Sequence, residues 1–390
     1  MSITLQPLPE SRRDISLDVL RGFALAGVLF MFCVNDIGAP KGYANSVLDE
    51  IVAWPKWILV ESRMYTMLIL VFGIGFHVQL EKARMQQASL VPVFSRRLIG
   101  LLFLGFIHAI FLSTRDILMF YAIAGTALLF VRNLSNRQLL IFISIVFLLL
   151  VTPVIPIFFD SPWQKANALV QPNNYKEHLQ YNWQFFKLYH QIYLIYIDML
   201  FHFLLGFWIS KAGLLQKLKT SRKLRRKLLL ITLVVALLLG PVNYYWFSQV
   251  FPGLVAKMPY YWQKFLAYTF ARTVWQSWML VSVTLYACIL ISLSVSTKAN
   301  RLKPLAAFGQ MALSNYLMQS LILVPSLLLL DRFNNIPPFT GLLIYLPVFA
   351  FQLVFSSWWL ARYKLGPFEW LLRSLTYWNW QPMKKQLAAA

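Results

Sequence analysis

Charge is scarce in this chain of 390 residues: 13% are charged, against about 25% in an ordinary soluble domain. Acids are scarcer still, with 14 Asp and Glu beside 36 Lys and Arg. At 59% hydrophobic residues and a mean hydropathy of +0.60, too little polar surface remains to keep a globule dissolved. The soluble class is thereby excluded, and a polytopic membrane protein is expected. The two cysteines, Cys33 and Cys288, both lie inside apolar runs and supply neither a disulfide framework nor a zinc site. No Gly-rich phosphate loop, HExxH or Cys/His metal spacing occurs, so no nucleotide-hydrolysing engine and no metal are expected. Nor is there a repeat of 20–50 residues. The first apolar run begins at Leu17 without a cleavage site of the A-x-A type, and reads as a retained span.

What the chain has in quantity is long apolar runs. Ten of them suffice for a hydrocarbon core of about 30 Å, which takes about 20 helical residues. They fall near 17–36, 64–82, 96–114, 117–132, 137–159, 192–213, 227–248, 270–296, 305–330 and 340–361. The expected fold is all-α, one transmembrane helical domain over 1–390, with the bilayer itself as its main partner. Between 160 and 191 a longer loop mixes aromatics with polar residues, as does 249–264; such pieces serve as interface anchors or as a lid. Residues 381–390 read as a disordered tail.

The net charge of +22 would suggest nucleic acid in a soluble protein. Here the basic residues alternate between loops. Arg12 and Arg13, Lys82 to Arg97, Arg132 and Arg137, Lys211 to Lys227, Lys298 to Lys303 and Arg362 to Lys385 all fall on one side. Most acids fall on the other: Asp36, Asp49, Glu50, Glu61, Asp116, Asp160, Glu177 and Asp331. The positive-inside rule then places both termini in the cytoplasm and removes nucleic acid as a partner.

The stretch RRLIGLLFLGFIHAIFLSTRDILMFY, from Arg96 to Tyr121, carries the sharpest chemical signal. It reads as a helical hairpin with Arg115 and Asp116 at its turn. His108 lies six residues before Thr114, hence roughly 9 Å below the outer end of its span. An ionisable residue at such depth is a functional candidate, although a neighbouring helix can also simply satisfy it. Tyr121, at similar depth on the returning helix, can face the imidazole. Asp116 can hold one ring nitrogen and leave the other free as a general base. His108, Asp116 and Tyr121 are therefore the candidate catalytic residues.

Other polar residues gather in the outer half: Asn35 and Asp36; Glu61 and Arg63; Arg272 and Gln276; Asn315, Tyr316 and Gln319. Each alone reads as an interhelical hydrogen bond, worth about 0.6 kcal/mol; together they read as an acceptor pocket. Asp198 and His202, at i and i+4, form a second imidazole–carboxylate pair. At the basic end Arg21 stands one turn above Asp18, at salt-bridge spacing. Arg21, Arg96 and Arg97 are also placed to attract a phosphorylated cosubstrate, since the guanidinium fork suits phosphate.

Taken together, RDISLDVLRGFALAGVLFMFCVN, VFGIGF, the His108 hairpin, AFGQMALSNYLMQSLIL and SSWWLARYKLGPFEWLLRSLTYW resemble the YeiB-like family of bacterial inner-membrane proteins. The resemblance covers nearly the whole chain. It implies a place in a broad superfamily of transmembrane acyltransferases, which also includes the lysosomal enzyme that acetylates the terminal glucosamine of heparan sulfate. What it implies for mechanism is transfer of an acetyl-like acyl group from cytoplasmic acyl-CoA to an acceptor on the far side, around a membrane histidine. His108 matches that histidine's position, and Arg21, Asp116, Asn315, Tyr316, Gln319, Glu369 and Arg373 match the other polar positions. The acceptor class is a glycan, lipid headgroup or small amine, the cosubstrate is acyl-CoA, and the location is the bacterial inner membrane. A homodimer is left open. The alternative reading is a transporter or flippase of an amphiphilic small molecule.

Overall fold

The computed structural model of the chain describes residues 14–36, 46–113, 116–152, 174–246, 250–297, 299–329 and 336–385, with positions 165, 169 and 172 besides. Among these the secondary structure is helical, apart from one isolated bridge between Tyr363 and Lys384. Helix α1 (Ile15–Met31) begins where the Asp14 carboxylate accepts from the Ser16 amide, and a π-turn over Phe32–Asp36 extends it. α2 (Val47–Pro55) and a second π-turn lead to Ser62, whose φ of 64° breaks the path before α3 (Arg63–Met85). α4 (Val91–Phe111) and α5 (Leu118–Val131) form the hairpin. α6 (Asn136–Val151) follows, opened by a Ser135–Gln138 capping box. Then come α7 (Tyr175–Tyr189), α8 (Tyr193–Lys211), α9 (Leu214–Thr220), α10 (Arg222–Tyr245), α11 (Phe251–Ala256) and α12 (Tyr261–Ser294). The chain continues through α13 (Lys303–Gln310), α14 (Ala312–Leu329), α15 (Pro338–Arg362) and α16 (Pro367–Tyr377).

Six stretches are long and apolar enough to cross a membrane: Ile15–Val34, Val47–Met85, Val91–Phe111, Leu194–Lys211, Tyr261–Ser294 and Pro338–Arg362. α5 and α6 are shorter apolar helices. The protein is thus a multi-pass helical membrane protein. Its outer faces stay apolar, with Ile99, Phe103, Phe130, Leu237, Leu238 and Val354 exposed, as a surface solvated by lipid requires. Inside, Phe76, Phe94, Phe120, Phe203 and Phe207 belong to one large core cluster.

Three departures from the sequence reading bear on the site. The run expected as one span over 305–330 is broken at Met311 into α13 and α14. Gly309, beside the break, packs against the backbone of α1 so closely that a Cβ there would run into the Asp18 carbonyl. Within the aromatic loop, residues 175–189 fold as α7; most of 160–173 lies outside the described residues. At the far end, residues 381–385 are not a free tail. Gln381 accepts from the Trp370 indole, and the Lys364 and Lys385 amides bond to Met383 and Arg362.

Candidate functional site

α4 and α5 touch where Gly105 faces the start of α5. A Cβ on Gly105 would sit 2.6 Å from Asp116 Oδ2 and 2.7 Å from the Met119 amide nitrogen, so the close approach needs glycine. One turn further on, His108 Nδ1 lies 3.0 Å from Asp116 Oδ1. Asp116 Oδ2 accepts from the Met119 amide at 2.8 Å. Oδ2 is thus an acceptor, and Oδ1 accepts as well in the tautomer that carries the hydrogen on Nδ1. In that tautomer Nε2 presents a lone pair. That lone pair faces a residue the sequence reading missed: Ser320 Oγ on α14, at 2.8 Å. Exposure is 1% for His108, 1% for Asp116 and 2% for Ser320. A polar network buried this deeply rigidifies its surroundings when every member is satisfied.

Tyr316, one turn before Ser320, packs on the imidazole with ring centroids 4.9 Å apart, and its hydroxyl accepts from the Ile117 amide at 3.3 Å. The break at Met311 sets the position of α14, and Glu369 on α16 closes it. The Glu369 carboxylate accepts from the Leu313 amide (2.6 Å), the Ser314 amide (3.0 Å) and the Ser314 hydroxyl. These are donors that a helix start leaves unpaired, and an anion there also meets the favourable end of the helix dipole. Burial pushes the Glu369 carboxyl up from its ordinary range, opposed by the bonds from Ser314 and Leu313.

A cavity of 650 Å³ runs between α1, α3, α4, α5, α13, α14 and α16. This volume lies in the range of small-molecule sites. Its lining holds the basic side chains Arg21, Lys82, Arg97, Lys364 and Arg373 beside the acids Asp14, Asp18 and Glu369. Tyr121 and Tyr316 line it as well, and His108, which does not, packs on Tyr316. Arg21 pairs with Asp18 at 3.0 Å, the salt bridge that their spacing implies. Arg97 stands 5.4 Å from the Phe72 ring centroid, and its buried Nε makes no hydrogen bond among the described residues. Arg96 is different: it is exposed, 5.7 Å from the Trp378 ring, and does not line the cavity.

Of the expected catalytic residues, His108 and Asp116 are brought together and Tyr121 is not bonded to them. Both imidazole nitrogens are occupied by Asp116 and Ser320, so neither is left free as the sequence reading had it. Tyr121 packs on Phe72 and Phe203, each with centroids at 5.2 Å, and its hydroxyl is buried without a hydrogen-bond partner among the described residues. Arg115 lies outside the described residues, as do the side chains of Asn35 and Asp36.

The expected acceptor residues divide among separate networks. Among those described, only Tyr316 lines the cavity. Arg63 is fully buried 4.0 Å from the Trp278 ring, donating to the Trp57 and Glu61 carbonyls, while the Glu61 carboxylate lies 3.9 Å from Lys56. Gln276 donates to Asp198 at 2.8 Å, and Arg272 reaches the Leu150 carbonyl at 3.4 Å. Asn315 donates to the Phe308 carbonyl and to Ser356, and Gln319 donates to Gln352. These last bonds tie α14 to α13 and α15, which is the interhelical role each residue has on its own.

α7 supplies a further part that loop composition did not disclose. His178 Nε2 lies 3.2 Å from the Leu112 carbonyl and Asn182 donates to the Ile110 carbonyl at 2.9 Å. Both carbonyls belong to the end of α4, where helices leave acceptors unpaired. α7 therefore covers the end of the helix that carries His108.

Residues 209–379 match the family described as "Protein of unknown function (DUF418)". The chain is 29% identical to "Uncharacterized protein YxaH" of Bacillus subtilis (strain 168) over 421 residues, covering 98% of this chain and 99% of the relative. It is 24% identical over 408 residues to "Uncharacterized protein YeiB" of Escherichia coli (strain K12), covering 93% and 96%. These matches support the YeiB-like family. The DUF418 segment contains Tyr316, Ser320 and Glu369 but not the His108–Asp116 hairpin; the full-length relatives span both halves of the site. No solved structure matches the chain.

Proposed function

We propose that this protein is a membrane acyltransferase that takes an acetyl-like group from cytoplasmic acyl-CoA and delivers it to a glycan, lipid headgroup or small amine on the far side. One observation carries the reading: a buried, carboxylate-held imidazole stands behind the Tyr316 wall of a cavity whose lining includes five Lys and Arg residues. A thioester needs a base to activate its attacker, and His held by Asp is suited to that near neutral pH. The residues present fit acyl-CoA: Arg97, with its unpartnered buried Nε, and Arg21 would hold phosphate, while the apolar wall of Phe72, Phe94 and Leu101 suits the acyl chain. The Tyr121 hydroxyl, on a residue that lines the cavity, is a donor for a carbonyl bound there.

On this reading the chain crosses a bacterial inner membrane ten times, with both termini in the cytoplasm and the cavity opening there. A reporter at the carboxy terminus should behave as cytoplasmic and one within 160–191 as external; the reverse at either site would break the topology.

The chemical test is incubation of purified protein with labelled acyl-CoA, measuring binding and thioester cleavage. Arg97→Ala should weaken binding in calorimetry while the protein stays folded, and rising salt should weaken wild-type binding further. Binding without cleavage or transfer would favour a transporter of amphiphiles. Unchanged affinity in Arg97→Ala would remove the basic rim from the cosubstrate site.

A further inference from the structure

Ser320, His108 and Asp116 stand in the order of a nucleophile, a base and the group that orients the base. Oγ to Nε2 is 2.8 Å, and Nδ1 to Oδ1 is 3.0 Å. Asp116 Oδ2 is fixed by the Met119 amide, which orients Oδ1 toward Nδ1; with the hydrogen on Nδ1, Nε2 can take the Ser320 proton. Three separate helices, α4, α14 and the start of α5, are needed to assemble this line. Ser320 satisfies the nitrogen that Asp116 does not reach, and as the partner of Nε2 it also places a hydroxyl where a base can activate it.

We infer that Ser320 is the acyl carrier of the proposed acyltransferase, forming an ester intermediate between the two sides of the membrane. The inference rests on the acyltransfer reading and deepens it.

In the first half, Ser320 Oγ attacks the thioester carbonyl as its proton passes to His108 Nε2. The C–O bond forms, the C–S bond breaks, and the departing CoA thiolate takes the proton from Nε2. In the second half, the acceptor's hydroxyl or amine attacks the ester carbonyl and gives its proton to Nε2. The C–O bond to Ser320 breaks, and Oγ takes that proton back. The sum is acyl-S-CoA plus acceptor giving acylated acceptor plus CoA-SH, with Ser320 regenerated.

Tyr316 is the partition between this line and the cavity. Its ring lies against His108 and lines the cavity, and its hydroxyl accepts from the Ile117 amide at 3.3 Å. A turn of that side chain would open the Ser320 hydroxyl to the cavity. An ester on Ser320 would explain how a group taken from one side can wait for an acceptor from the other.

The test uses full-length purified protein with radiolabelled acetyl-, octanoyl- and palmitoyl-CoA, without acceptor. Acid quenching and peptide mapping should place the label on the peptide bearing Ser320. Ser320→Ala and His108→Ala should each lose thioester cleavage by about 10²-fold or more, and the double variant should lose no more than either, because residues of one unit are not additive. Ser320→Cys, which keeps a nucleophile and the size of the side chain, should carry a label that neutral hydroxylamine removes. If wild type cleaves thioester while Ser320→Ala keeps that activity and no label maps to Ser320, the serine is not the carrier, and His108-assisted direct transfer stands. If wild type cleaves none of the three thioesters, the acyltransferase reading falls and this inference with it.

Discussion

Two imidazole–carboxylate pairs lie in this membrane domain, and they are built differently. Asp198 and His202 sit one turn apart on α8. There, His202 Nδ1 is 2.8 Å from the Asp198 backbone carbonyl and 3.5 Å from its carboxylate, and its buried Nε2 makes no hydrogen bond among the described residues. The carboxylate turns to Gln276 and is 32% exposed. His108 and Asp116 come instead from two helices, closed across a glycine contact, and a third helix adds Ser320. Spacing at i and i+4 lets one helix satisfy itself. A pair closed across a hairpin exists only if other elements hold it, and those elements here also border the cavity.

That contrast is broken or upheld first by deleting the two bases in parallel. His108→Ala should lower transfer by about 10²–10⁴-fold, the usual worth of a placed acid–base group, with expression and detergent behaviour nearly intact. His202→Ala should leave transfer within about tenfold of wild type, because its interactions are chiefly local. Turnover assays on both variants decide it. Equal losses would erase the distinction between the pairs.

Much of this was legible in the sequence for a physical reason. Apolar runs and loop charge are properties of composition, so the helical membrane fold and the hairpin could be read directly. His108 and Asp116 were legible because an ionisable group among Leu, Ile and Phe is costly wherever it lands. Ser320 was not: a hydroxyl in a membrane helix is commonplace, and nothing in NYLMQSLIL says which face meets His108, some 200 residues away. The partners of Gln276, Asn315 and Gln319 were equally illegible, since depth along a span says nothing about rotation around it. The break at Met311 escaped because the run ALSNYLMQ continues the helical pattern; Glu369, brought by α16, is what caps the new start.

Gly105→Ala sharpens the comparison at the next level down. The added methyl would overlap Asp116 Oδ2 and the Met119 amide, both part of the fixed framework of the hairpin. Overpacking of this kind costs about 1–3 kcal/mol, and the same displacement moves the carboxylate off Nδ1. Transfer should fall about tenfold or more while thermal unfolding in detergent shifts by a few degrees. The Asp198–His202 pair, on another helix, should be untouched. Turnover equal to wild type would mean that the hairpin tolerates separation and that the Asp116–His108 distance does not matter.

The smallest expected effect concerns α7, which covers the end of α4. Burial holds the His178 imidazole below its ordinary range, with the Leu112 carbonyl opposing that shift. The unfolded chain therefore binds a proton at His178 more readily than the folded one. Stability from this group is present at pH above about 6.5, the value for an unperturbed histidine, and is lost as pH falls below it. Unfolding temperature in detergent should decline from pH 8 to pH 5.5. His178→Asn, which keeps polarity without titrating, should flatten that decline. It should not abolish it, because burial lowers His190 in the same direction. At pH 8 the variant should lose about 1 kcal/mol, the worth of one hydrogen bond. An unaltered pH slope in His178→Asn would show that the neutral imidazole is not what seats α7 on the His108 helix.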